Sequence, residues 1–186
     1  MSNEKKRIRE GISIIRKNLS REIIAEKSKK IIETLINLEE YRKAITIMSY
    51  VSLDIEVDTK ELIKSELSNQ NKKVIVPYIR EGYIKASMLR NYNDLSIGEH
   101  GVLEPTNKEE YKAGIDLIII PGVAFDKTGS RIGFGKGYYD KFLKDYDNTH
   151  KVALAFEEQI VDNVPSEEHD QKVDIIITEK RIIRCK

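Results

Sequence analysis

The sequence predicts an α/β fold: one domain on a mostly parallel sheet, with helices against both faces. Short apolar runs alternate with stretches of helical periodicity: AITIMSYV at 44–51, KVIVP at 73–77, IDLIIIP at 115–121, then 152–156 and 173–178. Those runs are apolar at consecutive rather than alternate positions, the mark of strands covered on both sides. The chain has 186 residues, 40% of them hydrophobic and 34% charged, which suffices for one domain with a sizeable core. No repeat, low-complexity tract or Pro/Gly/Ser linker divides it, so 1–186 reads as a single domain.

Residues 4–19 carry Ile8, Ile12, Ile15 and Leu19, a 4-3-4 spacing that marks one helical face. Ser20 is a candidate N-cap for a second helix, with Glu22 in its first turn, Ile24, Ile31 and Leu35 inward, and an end near Asn37. The two form an N-terminal helical hairpin. Strand 44–51 follows, then a helix over 59–67 with Leu62, Ile63 and Leu67 on its buried side. Strand 73–77 and a weaker edge strand at 83–89 come next. Residues 90–114, with Gly98, Gly101 and Pro105, read as a polar surface excursion. The run 115–121 is the most apolar and therefore the expected central strand. Segments 152–156, 173–178 and 182–183 complete the sheet.

Composition excludes several function classes. With 32 basic and 31 acidic residues the formal net charge is +1, without the basic excess of a general nucleic-acid binder. The single cysteine, Cys185, cannot form an internal disulfide, and three scattered histidines without a CxxC give no zinc site. No apolar run approaches a membrane span, and no apolar signal core follows the basic first ten residues. A cytoplasmic protein is expected, with neither nucleic acid nor membrane as partner.

Five of the ten glycines fall within PGVAFDKTGSRIGFGKGYYD at 121–140, between the central strand and a helix start, with Arg131 and Lys136 among them. Glycines let successive N–H groups turn toward one anion, and the helix start and two cations add positive potential. The segment matches neither GxxxxGK[ST] nor GxGxxG, and a flexible turn is the plainer alternative. Polar clusters follow other strands too: Asp54, Glu56 and Asp58 after 44–51, and Glu157, Glu158 and Gln159 after 152–156. Ligands of open parallel sheets bind at the carboxyl ends of the strands, so these clusters are expected to share one cleft.

Asp140 and Asp170 could hold a magnesium ion carried by a nucleotide, or serve as a helix-start charge and a loop cap. Glu56 could accept N–H donors of a heterocycle, or belong to a solvated acidic turn. Lys5, Lys6, Arg7 and Arg9 read by themselves as a solvated helix face. Tyr138 and Tyr139 could stack a flat ligand or pack the helix on the sheet. His100, His150 and His169 are isolated and carry no catalytic pattern.

The glycine segment, continued as PGVAFDKTGSRIGFGKGYYDKFL, resembles the signature of the 5-formyltetrahydrofolate cyclo-ligase family. Lys5-x-x-x-Arg9 matches its basic N-terminal element, with Ile8 in place of leucine. Val51 and Glu56-Val57-Asp58-Thr59, Gly101-x-Leu103-Glu104-Pro105, Phe156-Glu157-x-Gln159, Pro165 and His169-Asp170 match further elements in order. The resemblance implies ATP- and Mg²⁺-dependent cyclisation of 5-formyltetrahydrofolate, polyglutamylated or not, to 5,10-methenyltetrahydrofolate. It also implies a three-layer αβα fold like that of ribose-phosphate isomerases and CoA transferases, and a monomer is expected. By resemblance, Lys5 and Arg9 contact ATP phosphates, and Arg131, Ile132, Gly133, Phe134, Gly135, Lys136, Gly137, Tyr138 and Tyr139 form the nucleotide loop. Val51 and Glu56 hold the pterin, with Phe134 through Tyr138 also reaching the folate. Arg131, Lys136 and Tyr138 serve the reaction, and Asp140 and Asp170 hold the metal. A phosphosugar isomerase or CoA transferase of the same architecture is the alternative enzyme, and a non-catalytic folate or nucleotide sensor the alternative class.

Overall fold

A computed structural model of the chain describes residues 3–98 and 101–185. The elements are α1 (Asn3–Lys17), α2 (Arg21–Asn37), α3 (Glu39–Lys43), β1 (Thr46–Ser49), α4 (Lys60–Asn69), β2 (Lys73–Arg80), β3 (Tyr83–Leu89), β4 (Leu95–Ile97), β5 (Leu103–Pro105), β6 (Leu117–Ile120), β7 (Ala124–Phe125), β8 (Arg131–Ile132), α5 (Tyr138–Leu143), β9 (His150–Leu154), β10 (Ile175–Ile177) and β11 (Ile182–Arg184). Seven strands form one sheet in the order β11-β10-β9-β6-β1-β2-β3. The five inner strands run parallel, and only the edges β3 and β11 are antiparallel. The all-apolar β6 stands in the middle, as its composition predicts.

Strand side chains alternate between two apolar layers. Ile47, Leu117, Ile119, Val152, Leu154, Ile175 and Ile177 meet Ile24, Ile31 and Leu35 of α2. Met48, Ile118, Ile120, Ala153 and Ile176 face the other way, toward Phe125 and Leu143 of α5. This second layer is thin, because α5 has only six residues. Ser20 caps α2 as expected, its hydroxyl accepting from Ile23 N–H at 3.3 Å.

Two expectations need correction. The first two helices do not form a hairpin: α1 packs on β7 and on residues 157–159, beyond the end of the sheet, while α2 lies on its face. The inward face of α1 is also shifted. Ile15 is 42% exposed, and Lys5, Ile12 and Arg16 are the buried residues. The buried stripe thus has a cation at each end, which hydrophobic spacing does not reveal. The surface excursion at 90–114 includes, among its described residues, regular structure that the sequence reading did not name. It holds the β4–β5 ribbon, whose Leu95 and Leu103 pack beside Ile63, Val74 and Val76.

The glycine segment contains a small hairpin, β7–β8, closed by Gly129 at φ +84°. A Cβ at Gly129 would lie 2.2 Å from the carbonyl oxygen of Val173. Gly129→Ala is therefore expected to lose about 2–4 kcal/mol, from positive-φ strain and overpacking together. Urea denaturation measures this, and a loss under about 0.5 kcal/mol would show that the hairpin is not held there.

Candidate active site

At the carboxyl ends of β1, β2 and β6 lies a cleft of about 380 Å³. Tyr50, Val51, Leu53 and Glu56 line it from the segment after β1, and Pro121 from the end of β6. Pro77, Tyr78 and Ile79 of β2, with Ile84 of β3, form an apolar wall. Arg131, Gly133, Phe134, Lys136 and Gly137 close the opposite side, with Tyr138, Tyr139 and Asp140 of α5. Apolar walls with a few convergent polar groups are the general build of a small-molecule site.

One pole is Glu56, 7% exposed. Its Oε2 accepts from Leu53 N–H at 2.8 Å, and Oε1 accepts no hydrogen bond among the described residues. Burial pushes the Glu56 pKa up; the Leu53 N–H and the charges of Arg16 and Lys60 pull it back only in part. A buried carboxylate with a vacant acceptor suits a ligand that brings N–H donors.

The other pole is Arg131, on β8. Its Nη1 donates to Asp140 Oδ1 at 2.8 Å, and its Nη2 is buried with no hydrogen-bond partner among the described residues. Burial lowers the Arg131 pKa despite Asp140, but a guanidinium stays charged. A buried, unsatisfied, charged donor at a cleft wall suits an anionic oxygen.

Around Arg131 the structure gathers other residues that are distant in sequence. Arg9 Nε donates to the Gly133 carbonyl at 2.9 Å, and Gly135, at φ +98°, lies against the Arg9 guanidinium. Lys5 Nζ reaches Asp170 Oδ2 at 2.6 Å and Glu167 Oε1 at 3.2 Å. Burial opposes the Lys5 charge, yet these partners raise its pKa, and the Lys5 bond likewise holds Asp170 below the usual carboxylate range against burial. Asp140 Oδ1 also accepts from Gln171 N–H at 3.1 Å, which sets Asp140 beside the chain of Asp170. The solvated reading of Lys5 and Arg9 therefore fails.

Among the described residues no group of three His, Cys, Asp or Glu side chains forms a metal site. Asp140 and Asp170 still fit a magnesium ion that arrives with phosphate oxygens, since such ions take one or two carboxylates and otherwise water and phosphate.

Several expected residues are not brought to the cleft. The Ile132 side chain packs with Ile12, Val123 and Val164 under α1. The cluster after β9 is occupied structurally: Glu157 holds Arg181 and Thr178, Glu158 holds Lys27, and buried Gln159 donates to the carbonyls of Gly122 and Val123. Asp54 is exposed. His150 stands at the start of β9, at the opposite end of the sheet, and His169 is exposed beside Glu167; His100 lies outside the described residues. Nine lining residues were not anticipated as site residues: Tyr50, Leu53, Pro77, Tyr78, Ile79, Ile84, Val102, Glu104 and Pro121. Only Glu104 and Pro121 carried a signal, the matches at 101–105 and 121–143. Glu104 is buried in the ribbon and accepts from Ile79 N–H and Lys108.

A family model described as "5-formyltetrahydrofolate cyclo-ligase family" matches residues 1–179. The chain belongs to the 5-formyltetrahydrofolate cyclo-ligase family. It is 32% identical over 185 residues to the 5-formyltetrahydrofolate cyclo-ligase of Haemophilus influenzae, covering 95% of this chain and 98% of that one. It is 32% identical over 176 residues to the mouse cyclo-ligase, covering 87% and 86%. The NMR structure of 5,10-methenyltetrahydrofolate synthetase from Aquifex aeolicus superposes with a TM-score of 0.88 at 34% identity, covering 98% of this chain and 93% of that one.

The raised Glu56 pKa has a thermodynamic consequence. A carboxylate whose folded pKa lies above its unfolded value stabilises the fold fully only below the unfolded pKa, and that contribution is lost as pH rises through the folded pKa. Glu56→Gln should thus be at least as stable as the parent at pH 7 without ligand, with the advantage vanishing toward pH 4. Thermal melting across that range checks it. A destabilised variant at pH 7 would mean that the ionised carboxylate is favoured where it stands.

Proposed function

We propose that the chain catalyses the ATP-dependent cyclisation of 5-formyltetrahydrofolate to 5,10-methenyltetrahydrofolate in this cleft, with the pterin on Glu56 and the ATP phosphates on the Arg131 side. The assignment of poles is carried by two groups of opposite charge on the walls of one apolar cleft: the buried Glu56 carboxylate, bonded only through Oε2 to Leu53 N–H, and Arg131 Nη2, buried without a hydrogen-bond partner among the described residues. Family membership supplies the reaction.

A formamide oxygen leaves poorly. In the proposed route it attacks the γ-phosphorus, the bond from that phosphorus to the ADP oxygen breaks, and a phosphorylated imidate forms. The N10 lone pair then attacks the activated carbon, N10 releases its proton, and the carbon–oxygen bond breaks to expel inorganic phosphate and close the ring. Such chemistry demands positioning and charge neutralisation more than a strong base. Arg131 and Lys136 would neutralise phosphate charge, Lys5 and Arg9 would hold the phosphates and the loop, and Tyr138 would face the formyl group from the cleft wall. Glu56 and Val51 would fix the pterin. Bound magnesium would shield the phosphate charge, with Asp140 and Asp170 as its protein partners. Cytoplasmic residence and a monomeric state accompany this reading.

Absorbance of the methenyl product, with and without ATP, tests the reaction. Lys136 is exposed at the cleft. Lys136→Ala should lower kcat/KM for ATP by about 1.5–3 kcal/mol while leaving the melting temperature unchanged. Parent kinetics in that variant would remove Lys136 from the site.

Asp140→Asn and Asp170→Asn should raise the Mg²⁺ concentration needed for half-maximal rate more than they raise the folate KM. An unchanged Mg²⁺ titration in both would make these aspartates purely structural partners of Arg131 and Lys5.

A further inference from the structure

Arg16 is among the largest fully buried side chains, 1% exposed, and the hydrogen bonds of its guanidinium go to backbone carbonyls rather than to a carboxylate. Its guanidinium instead spans the loops that build the cleft. Nε and Nη2 both donate to the Ile55 carbonyl, at 2.9 and 2.7 Å, and Nη1 donates to the Gly122 carbonyl at 3.4 Å. Its Cζ lies 5.9 Å from the centre of the Phe134 ring. One cation from α1 therefore touches the residue preceding Glu56, the turn after the central strand, and the aromatic side chain of the glycine loop.

We propose that Arg16 is a positioning residue for the ring-closing reaction: it locks the Glu56 segment, the end of β6 and Phe134 into one unit and presents Glu56 to the pterin. This rests on the reading that Glu56 binds the pterin. An isolated buried cation is costly, so its retention needs a compensating field. Glu56 supplies that field and in return is drawn toward its ionised form by Arg16. The other titratable or charged groups facing Glu56 are Lys60 from α4, Tyr50 at the end of β1 and Tyr139 from α5; burial raises the pKa of both tyrosines, so they stay neutral through the physiological range.

The experiment compares Arg16→Met, Arg16→Lys and Glu56→Gln, singly and as the Arg16→Met/Glu56→Gln double variant, after melting curves establish which are folded. Arg16→Met should raise the folate KM roughly tenfold or more with a smaller change in the ATP KM. It should also move the acidic limb of kcat/KM for folate upward by about one pH unit, because Glu56 loses a favourable charge. Arg16→Lys keeps the charge but not the paired donors to Ile55, so its acidic limb should stay near that of the parent while KM rises. In the double variant the two losses should be less than additive. If Arg16→Met does not fold, the Arg16→Lys profile and an Arg16→Lys/Glu56→Gln cycle decide. Folded Arg16 variants with parental folate KM and acidic limb, or full additivity with Glu56→Gln, overturn the proposal. Parental folate affinity in Glu56→Gln itself would instead overturn the pterin assignment on which it rests.

Discussion

Buried cations organise the working end of this molecule. A guanidinium or ammonium withdrawn from water must find acceptors, and the acceptors available to it fix the surrounding chain. Arg16 takes backbone carbonyls of two loops, Lys5 takes Asp170 and Glu167, and Arg131 takes Asp140. Those three residues draw α1, the segment after β1, the glycine loop and the chain near residue 170 onto one edge of the sheet. Arg131 differs from Arg16 in being incompletely satisfied, with its Nη2 left without a hydrogen-bond partner among the described residues at the cleft wall. The same interactions that hold the fold together there thus leave a definite place for an anion.

The parallel sheet sets the geometry on which this depends. Because β1, β2 and β6 are parallel neighbours, their carboxyl ends open on the same side, and the chain leaving each one contributes a wall. The acidic pole follows β1 and the basic pole follows β6, so adjacent strands deliver opposite charges to one apolar space. On the proposed reading, a flat heterocycle with N–H donors and a polyphosphate would take separate berths in such a cleft. The six-residue α5 contributes little dipole field of its own, so the positive character of the glycine side rests on Arg131, Lys136 and the neighbouring Arg9.

The strands were legible because parallel, doubly covered strands are written as continuous apolar runs; 117–120 is the plainest case. Arg131, Gly133 and Lys136 were legible because glycines and cations stand out after such a run, whereas Glu56 was set apart from Asp54 and Asp58 only by the family resemblance. Ile15 and Arg16 were not legible: periodicity assigns the apolar residue inward, while the structure buries the arginine through hydrogen bonds to Ile55 and Gly122 that have no local signature. The wall formed by Pro77, Tyr78 and Ile79 was equally hidden, since an apolar residue that faces a ligand reads the same as one that faces the core. Gln159 shows the converse, a polar residue placed after a strand that serves the fold by binding Gly122 and Val123.

If the Glu56 carboxylate and the unpartnered Arg131 Nη2 mark the two ligands, bound ligands must engage both. A crystal structure with a magnesium complex of ADP and 5-formyltetrahydrofolate bound together tests it most directly. A phosphate oxygen is expected within about 3 Å of Arg131 Nη2, and a pterin N–H donating to Glu56 Oε1 at a similar distance. Ligands bound with Arg131 Nη2 still unpartnered, or a pterin held away from Glu56, would contradict it.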